Sequence, residues 1–249
     1  MSKKEPGIFV GLGKDPENKL TVQKSRPLTT LWQSELTLAE FKILDVYLSR
    51  IDSHKPQERT IRLSKGQLET ALGVTRINKE DLKRRLKNLY NPIDLEKGNP
   101  TKIKLRSLFD EADAEQDEDG IWQIQLTCSQ TAVEYFFNIE HLGYVKYKLW
   151  CIREIKSRYS YILFIYIETH RNFVTWKIPL EELKELLNCS KEETYTEYKR
   201  FNDLILKKCQ KEIIEKTDCY FTYQALRCGK KIKEIQFSVK RRNEKIRIK

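Results

Sequence analysis

"IRLSKGQLETALGV", residues 61–74, reads as a short strand running into an amphipathic helix, and its pattern returns 115 residues later as "WKIPLEELKELLNC", residues 176–189. The stretches align without a gap. Ile61 and Leu63 fall on Trp176 and Ile178 in the alternation of a strand, while Leu68 and Leu72 fall on Leu183 and Leu187, four apart on one helical face. Gly73 meets Asn188, the two residue types that most readily adopt the left-handed conformation closing a helix. Identity between the copies is low, so two ordinary strand–helix units would also give this match; a structural repeat is the reading adopted.

Working outward, "TLAEFKILDVYLSRID" begins with Thr37 as N-cap and Glu40 three residues on, a capping box, and Phe41, Leu44 and Leu48 form an apolar stripe. After the strand and helix of residues 61–74 comes a third helix, "NKEDLKRRLKNLY", with a core stripe of Leu82, Leu86 and Leu89. "KIKLRSL" (102–108) and "IWQIQLT" (121–127) alternate with period two and are expected to be the arms of a hairpin. Between them, Asp110 to Asp119 hold seven carboxylates in ten residues, expected to form a solvated loop that repels phosphate. That run lacks the order of ligands and the glycine of an EF-hand.

The second half follows the same plan. An apolar helix over residues 157–171 precedes the repeated strand and helix, and a long helix, "YKRFNDLILKKCQKEIIEKT", is expected to face the core with Phe201, Leu204, Ile205 and Ile213. "CYFTYQALR" and "KIKEIQFSV" then alternate around Gly229. Helix, strand, helix, helix, hairpin, twice over, is the order of two tandem winged helices in an α+β chain. The expected division is a flexible N-terminal arm (1–24), a first domain (25–148), a second (149–240) and a basic tail (241–249).

The 249 residues have room for two cores, and 39% apolar residues with nine Gly and seven Pro indicate a folded protein. A net charge of +11 is an electrostatic footprint for a polyanion or an anionic membrane surface. The longest apolar run, residues 161–167, is far short of a bilayer span, and the N-terminus does not read as a signal peptide, so a cytoplasmic protein without a membrane partner is expected. Six scattered cysteines with no C-x-x-C pair make a zinc site poor and are expected as reduced, buried thiols, although Cys219 and Cys228 could face each other across the last hairpin. "GLGKD" at residues 11–15 lacks the length and the Ser or Thr of a phosphate-binding loop. No H-x-H pair exists, and His54, His141 and His170 lie in different segments, which disfavours a metal-dependent nickase. No cofactor, metal or catalytic residue is expected.

In a helix-turn-helix the second helix enters the major groove with its N-terminal residues, so residues opposite the core stripe reach the bases. In the first half these are Arg76, Asn78, Lys79, Lys83 and Arg84; in the second, Lys199, Arg200, Asn202, Asp203 and Lys207. Arg and Asn carry forked groups suited to guanine and adenine edges, whereas lysines mostly find phosphate. Arg227, Lys230, Lys231 and Lys233 flank the last turn, placed to hold backbone or a minor groove. For any one lysine, simple solvation of an exposed face explains the charge; for the cluster, double-stranded DNA is the expected partner. Two modules cover successive grooves about 34 Å apart, giving an asymmetric site of roughly twenty base pairs.

"SRYSYILFIYIETHR", "WKIPLEELKELL", "YKRFNDLILKKCQKEIIEKTD" and "FTYQALRCGKKIKEIQFSV", and more loosely "LTLAEFKILDVYLSRI", resemble the replication initiator (Rep) proteins of theta-replicating plasmids over roughly residues 20–239. The resemblance implies a non-enzymatic initiator that binds directly repeated origin sequences, iterons, as a monomer and opens the neighbouring duplex with the host initiator and helicase. It also implies a homodimer, formed through the first domain, that represses its own gene. A transcriptional repressor with no role in replication is the alternative. The acidic insert and the N-terminal arm depart from the family pattern.

Overall fold

A computed structural model describes residues 19–63, 66–95 and 101–241. Most of the expected arm and nearly all of the basic tail, together with the 11–15 stretch, lie outside the described residues. In chain order the main elements are β1 (Thr21–Ser25), α1 (Leu38–Leu48), β2 (Thr60–Leu63), α2 (Gln67–Leu72), α3 (Lys79–Tyr90), β3 (Phe109–Gln116), β4 (Trp122–Cys128) and β5 (Tyr144–Lys148), followed by α4 (Arg158–Thr169), β6 (Thr175–Pro179) and α5 (Leu180–Leu186). A long helix, α6, runs through Tyr198–Phe201, a π-helical stretch Asn202–Leu206 and Lys207–Lys216 before the hairpin β7 (Cys219–Cys228) and β8 (Lys231–Arg241).

The repeat is structural. Each half carries a three-stranded antiparallel sheet in which the strand before the short helix pairs with the last strand of the hairpin, in the orders β2-β4-β3 and β6-β8-β7. Ile61 faces Leu126 and Leu63 faces Ile124; correspondingly Trp176 faces Phe237 and Ile178 faces Ile235. The helices α2 and α5 end alike. Gly73 sits at φ +69° and Asn188 at φ +55°. The Val74 N–H donates to the Glu69 carbonyl at 3.0 Å and that of Cys189 to Lys184 at 2.9 Å, while Gly73 and Asn188 donate to Thr70 at 3.1 Å and Glu185 at 2.8 Å. Both are Schellman closures at the same 115-residue offset.

A Cβ at Gly73 would meet only the Arg153 carbonyl oxygen, at 3.8 Å, an ordinary contact. The cost of Gly73→Ala is therefore conformational, and it is expected to be about 1 kcal/mol, with Gly73→Asn costing less. Urea melts of the two variants check this; equal stability of both with the wild type would dismiss the left-handed requirement.

The core stripes of α1 and α3 lie where the spacing places them: Phe41, Leu44 and Leu48, and Leu82, Leu86 and Leu89, are all buried. The capping box forms too, with the Thr37 N–H donating to Glu40 Oε2 at 2.6 Å. Unexpectedly, α1 is buried on every side from Glu40 to Leu48. One of its faces packs against α4. Phe41 stacks on Tyr161 at 5.1 Å, and the Arg158 guanidinium donates to the Trp32 carbonyl at 2.8 Å.

Five expectations need correction. Most of the acidic run is not a loop: residues 110–116 belong to β3, the outer strand of the first wing, registered on β4 from Glu111↔Thr127 to Gln116↔Trp122, and only Asp117, Glu118 and Asp119 lie in the turn. Ala112 and Ala114 alternate with the carboxylates, and a charged edge strand resists pairing with other chains. The expected arm 102–108 contributes only Leu105–Arg106, bridged to Ile93–Asp94. Nor does the unstructured arm reach residue 24, because β1 pairs with β5 and Lys24 is buried. Cys219 and Cys228 are the two ends of one strand, opposite Arg241 and Lys231, so they do not face each other; Cys228 is exposed while the other five thiols are buried.

The last correction concerns α6. Leu204 is exposed, and the buried residues are Phe201, Ile205, Leu206, Cys209 and Ile213. A regular helix starting inward at Phe201 would next turn residues 204, 205, 208 and 212 inward. The π stretch adds one residue to a turn, which shifts the phase by about 100° and moves the inward positions on by one. The repeated four-residue spacing of 201, 205, 209 and 213 was the available signal, since it outruns a 3.6-residue period.

Candidate nucleic-acid interface

Each wing is hydrogen-bonded to the helix it flanks by one aromatic donor. Trp122 Nε1 of β4 donates to the Ile77 carbonyl at 2.7 Å, just ahead of α3. The Tyr223 hydroxyl of β7 donates to Asn202 Oδ1 at 2.6 Å. These bonds set the orientation of α3 and α6 relative to their sheets.

On α3, Lys79, Lys83 and Arg84 are exposed, as is Arg76 in the preceding turn. Asn78 is the N-cap: its Oδ1 accepts the Asp81 N–H at 2.8 Å, leaving its amide N–H groups to reach outward. Asp81 accepts from Arg84 and, at 2.8 Å, from Arg85. Burial pushes this carboxyl up, but the two arginine hydrogen bonds outweigh it and hold the group below its ordinary value. Arg84 therefore approaches any ligand already ion-paired. Across a groove of about 550 Å³, Lys79, Lys83 and Lys87 face Asp110, Glu111 and Asp113 of β3. The first wing thus presents negative charge where the second presents positive.

On α6, Lys199, Arg200, Asp203 and Lys207 are exposed. Among the described residues Arg200 makes no ion pair, so its five donors are open. Lys207 lies 2.6 Å from Asp203, and that hydrogen bond keeps the Asp203 carboxyl below its ordinary range. Asn202 is half-buried, with its oxygen engaged by Tyr223, so it positions the wing and does not stand open to a base. Lys208 and Lys211, not singled out from the sequence, are exposed on the same helix because of the phase shift. Arg227, Lys230, Lys231 and Lys233 cluster at the tip of the second wing, all exposed. There Gly229 takes the first of two loop positions at φ +61°, and Lys233 falls at a register shift in β8.

No group of three or more His, Cys, Asp or Glu side chains able to hold a metal occurs among the described residues. His170 stacks on Trp176 at 4.8 Å. No described helix is long and apolar enough to cross a membrane. What the surface offers is rigid helices carrying Arg and Lys, each braced by a wing, which suits groove recognition and phosphate contact.

Comparison with known proteins agrees with this architecture. The family model "Initiator Replication protein, WH1" matches residues 21–168, and "Initiator Rep protein, WH2" matches residues 179–239. No curated protein matches the chain. Among solved structures, the crystal structure of Pi initiator protein in complex with iteron DNA superposes with a TM-score of 0.73 at 21% identity, covering 89% of this chain and 97% of that one. At that identity the likeness establishes the fold.

Proposed function

The chain belongs to the initiator replication protein family, and on that premise we propose that it binds directly repeated origin sequences in double-stranded DNA and starts replication there. The observation that carries this reading is the pair of wing-braced helices, α3 and α6, exposing different residues. A chain with two unlike readers suits an asymmetric site, bound by a monomer, better than a palindrome. The Pi protein, of the same fold, was crystallised on iteron DNA, which supports the same class of ligand here.

The site residues divide by their freedom. Arg200, exposed and unpaired, is the base reader of the second module; Arg76 and the amide of Asn78 serve the first. Lys79, Lys83, Lys199, Lys207 and the wing cations Arg227, Lys230, Lys231 and Lys233 contact phosphate or sugar. Host initiator and helicase recruitment, a homodimer that represses the chain's own gene, and a cytoplasmic location belong to this proposal as expectations from the family.

Binding-site selection followed by titration tests it. Arg200→Ala is expected to lose about 1–3 kcal/mol on the preferred sequence and little on others, flattening specificity at one position. Lys207→Ala should weaken all sequences alike. Equal loss on every sequence for Arg200→Ala would remove its role as a reader. To distinguish an initiator from a pure repressor, the chain is supplied in trans to a plasmid bearing the repeats. Failure of that origin to replicate would sink the initiation role while leaving DNA binding intact.

A further inference from the structure

A cleft of about 610 Å³ lies between the turn before α3, the N-terminus of α1 and the segment 153–156 that precedes α4. Its walls carry five cations, Lys42, Arg76, Arg85, Arg153 and Lys156, against two carboxylates, Asp81 and Glu154. Both carboxylates already have partners: Asp81 accepts from Arg84 and Arg85, and Glu154 lies 3.6 Å from Arg153. Lys42 is only 4% exposed, and its Nζ donates to the Arg153 carbonyl at 2.6 Å. An ammonium has three donors, and among the described residues no carboxylate lies within ion-pair distance of this one. Leu38 and Ala39, the first residues of α1, also line the cleft; the Glu40 carboxylate beside them is engaged at Thr37 in the capping box.

A concave, cation-rich wall around a buried lysine with few acceptors suits a compact, multiply charged oxyanion. We propose that this cleft binds a phosphate group, and that its occupant is a backbone phosphate of the duplex beside the bases faced by α3, making the segment 153–156 part of the DNA surface. This rests on the DNA-binding reading above. The placement favours DNA over a free phosphate compound, because Ile77, Asn78 and Asp81 at the start of α3 form one wall.

Lys42 supplies a signature. Burial lowers its pKa to about 8; Glu154 of the segment 153–156 and Glu212 of α6 raise it, and Lys156 lowers it again, with Asp81 and Arg85 of α3 on the facing wall. The folded value lies below the unfolded one, so the charged form costs stability below about pH 8, and that cost fades as the pH rises. A bound phosphate would favour the charged form, so binding should take up a proton near pH 8 to 9.

The test uses the full chain, a duplex carrying the origin repeat, and inorganic pyrophosphate as a second probe. With Lys42→Met, the salt slope of DNA binding is expected to shrink by about 0.9, the value of one phosphate contact. The fall in wild-type affinity between pH 7 and 9.5 should be absent in this variant. Should Lys42→Met fail to fold, exposed Lys156→Ala gives the same slope readout. Unchanged slope and pH profile in both variants, with pyrophosphate binding also unchanged, would overturn the site. Loss of pyrophosphate binding with the DNA slope intact would keep a phosphate site but overturn its assignment to DNA. If the wild type binds no repeat DNA at all, the parent reading falls and the pyrophosphate arm alone judges the cleft.

Discussion

Asp45→Ala is expected to destabilise the protein by about 3–5 kcal/mol, because it strands a buried cation. Lys24 Nζ lies 2.8 Å from Asp45 Oδ1, and the two side chains are 2% and 0% exposed. The Tyr161 hydroxyl completes the group, donating to Asp45 Oδ2 at 2.6 Å and accepting from Lys24 at 2.7 Å. Burial, with the Asp45 charge beside it, pushes the Tyr161 phenol well above its ordinary value, so it keeps its proton and remains a donor. Three elements meet here: β1, α1 and α4. In a chain this size the loss corresponds to a fall in melting temperature on the order of 10 °C. The double variant Lys24→Met, Asp45→Leu should recover most of it, because a buried pair replaced by apolar groups of similar size is often neutral. Asp45→Ala melting with the wild type would show that the pair contributes nothing.

Affinity for the origin repeat is expected to fall steeply with salt. If about eight phosphates are neutralised, log K against log salt should have a slope near −7, so that raising salt fourfold weakens binding about ten-thousandfold. The contributors differ between modules. Among the described residues the wing cations Arg227, Lys230, Lys231 and Lys233 form no ion pair, whereas Lys79, Lys83 and Lys87 face the acidic strand β3. Replacing the four wing cations with alanine should therefore reduce the slope by up to about 3.6. Reversing the charge of Asp110, Glu111 and Asp113 should steepen it. A salt-independent association would refute the electrostatic basis of the interface.

Much of this architecture was legible in the sequence. Thr37 with Glu40, the stripe Leu82, Leu86 and Leu89, and the match of Gly73 to Asn188 are short-range signals, and each one forms the cap, face or helix end that its chemistry implies. The acidic run carries two competing signals: its charge density favours a solvated loop, while the alternation of Ala112 and Ala114 with carboxylates favours the strand that residues 110–116 form. The residues named as DNA contacts are exposed, Asn202 excepted. Their freedom was not legible: Asn78 is a cap, Asn202 is held by Tyr223, and Arg84 is paired with Asp81.

By itself the sequence determined the twofold plan of winged helices and the positive character of the surface. Period, capping and turn chemistry act over a few residues and need no distant partner. Only the tertiary structure decided which polar groups are buried, that α6 shifts phase to bury Leu206 and Cys209, and that β1, α1 and α4 meet around Lys24, Asp45 and Tyr161. It also decided that Lys42 sits in a cationic cleft. Tyr161 against Lys24 and Asp45, and Arg153 against Lys42, are more than a hundred residues apart in sequence, brought together by packing that no local pattern encodes.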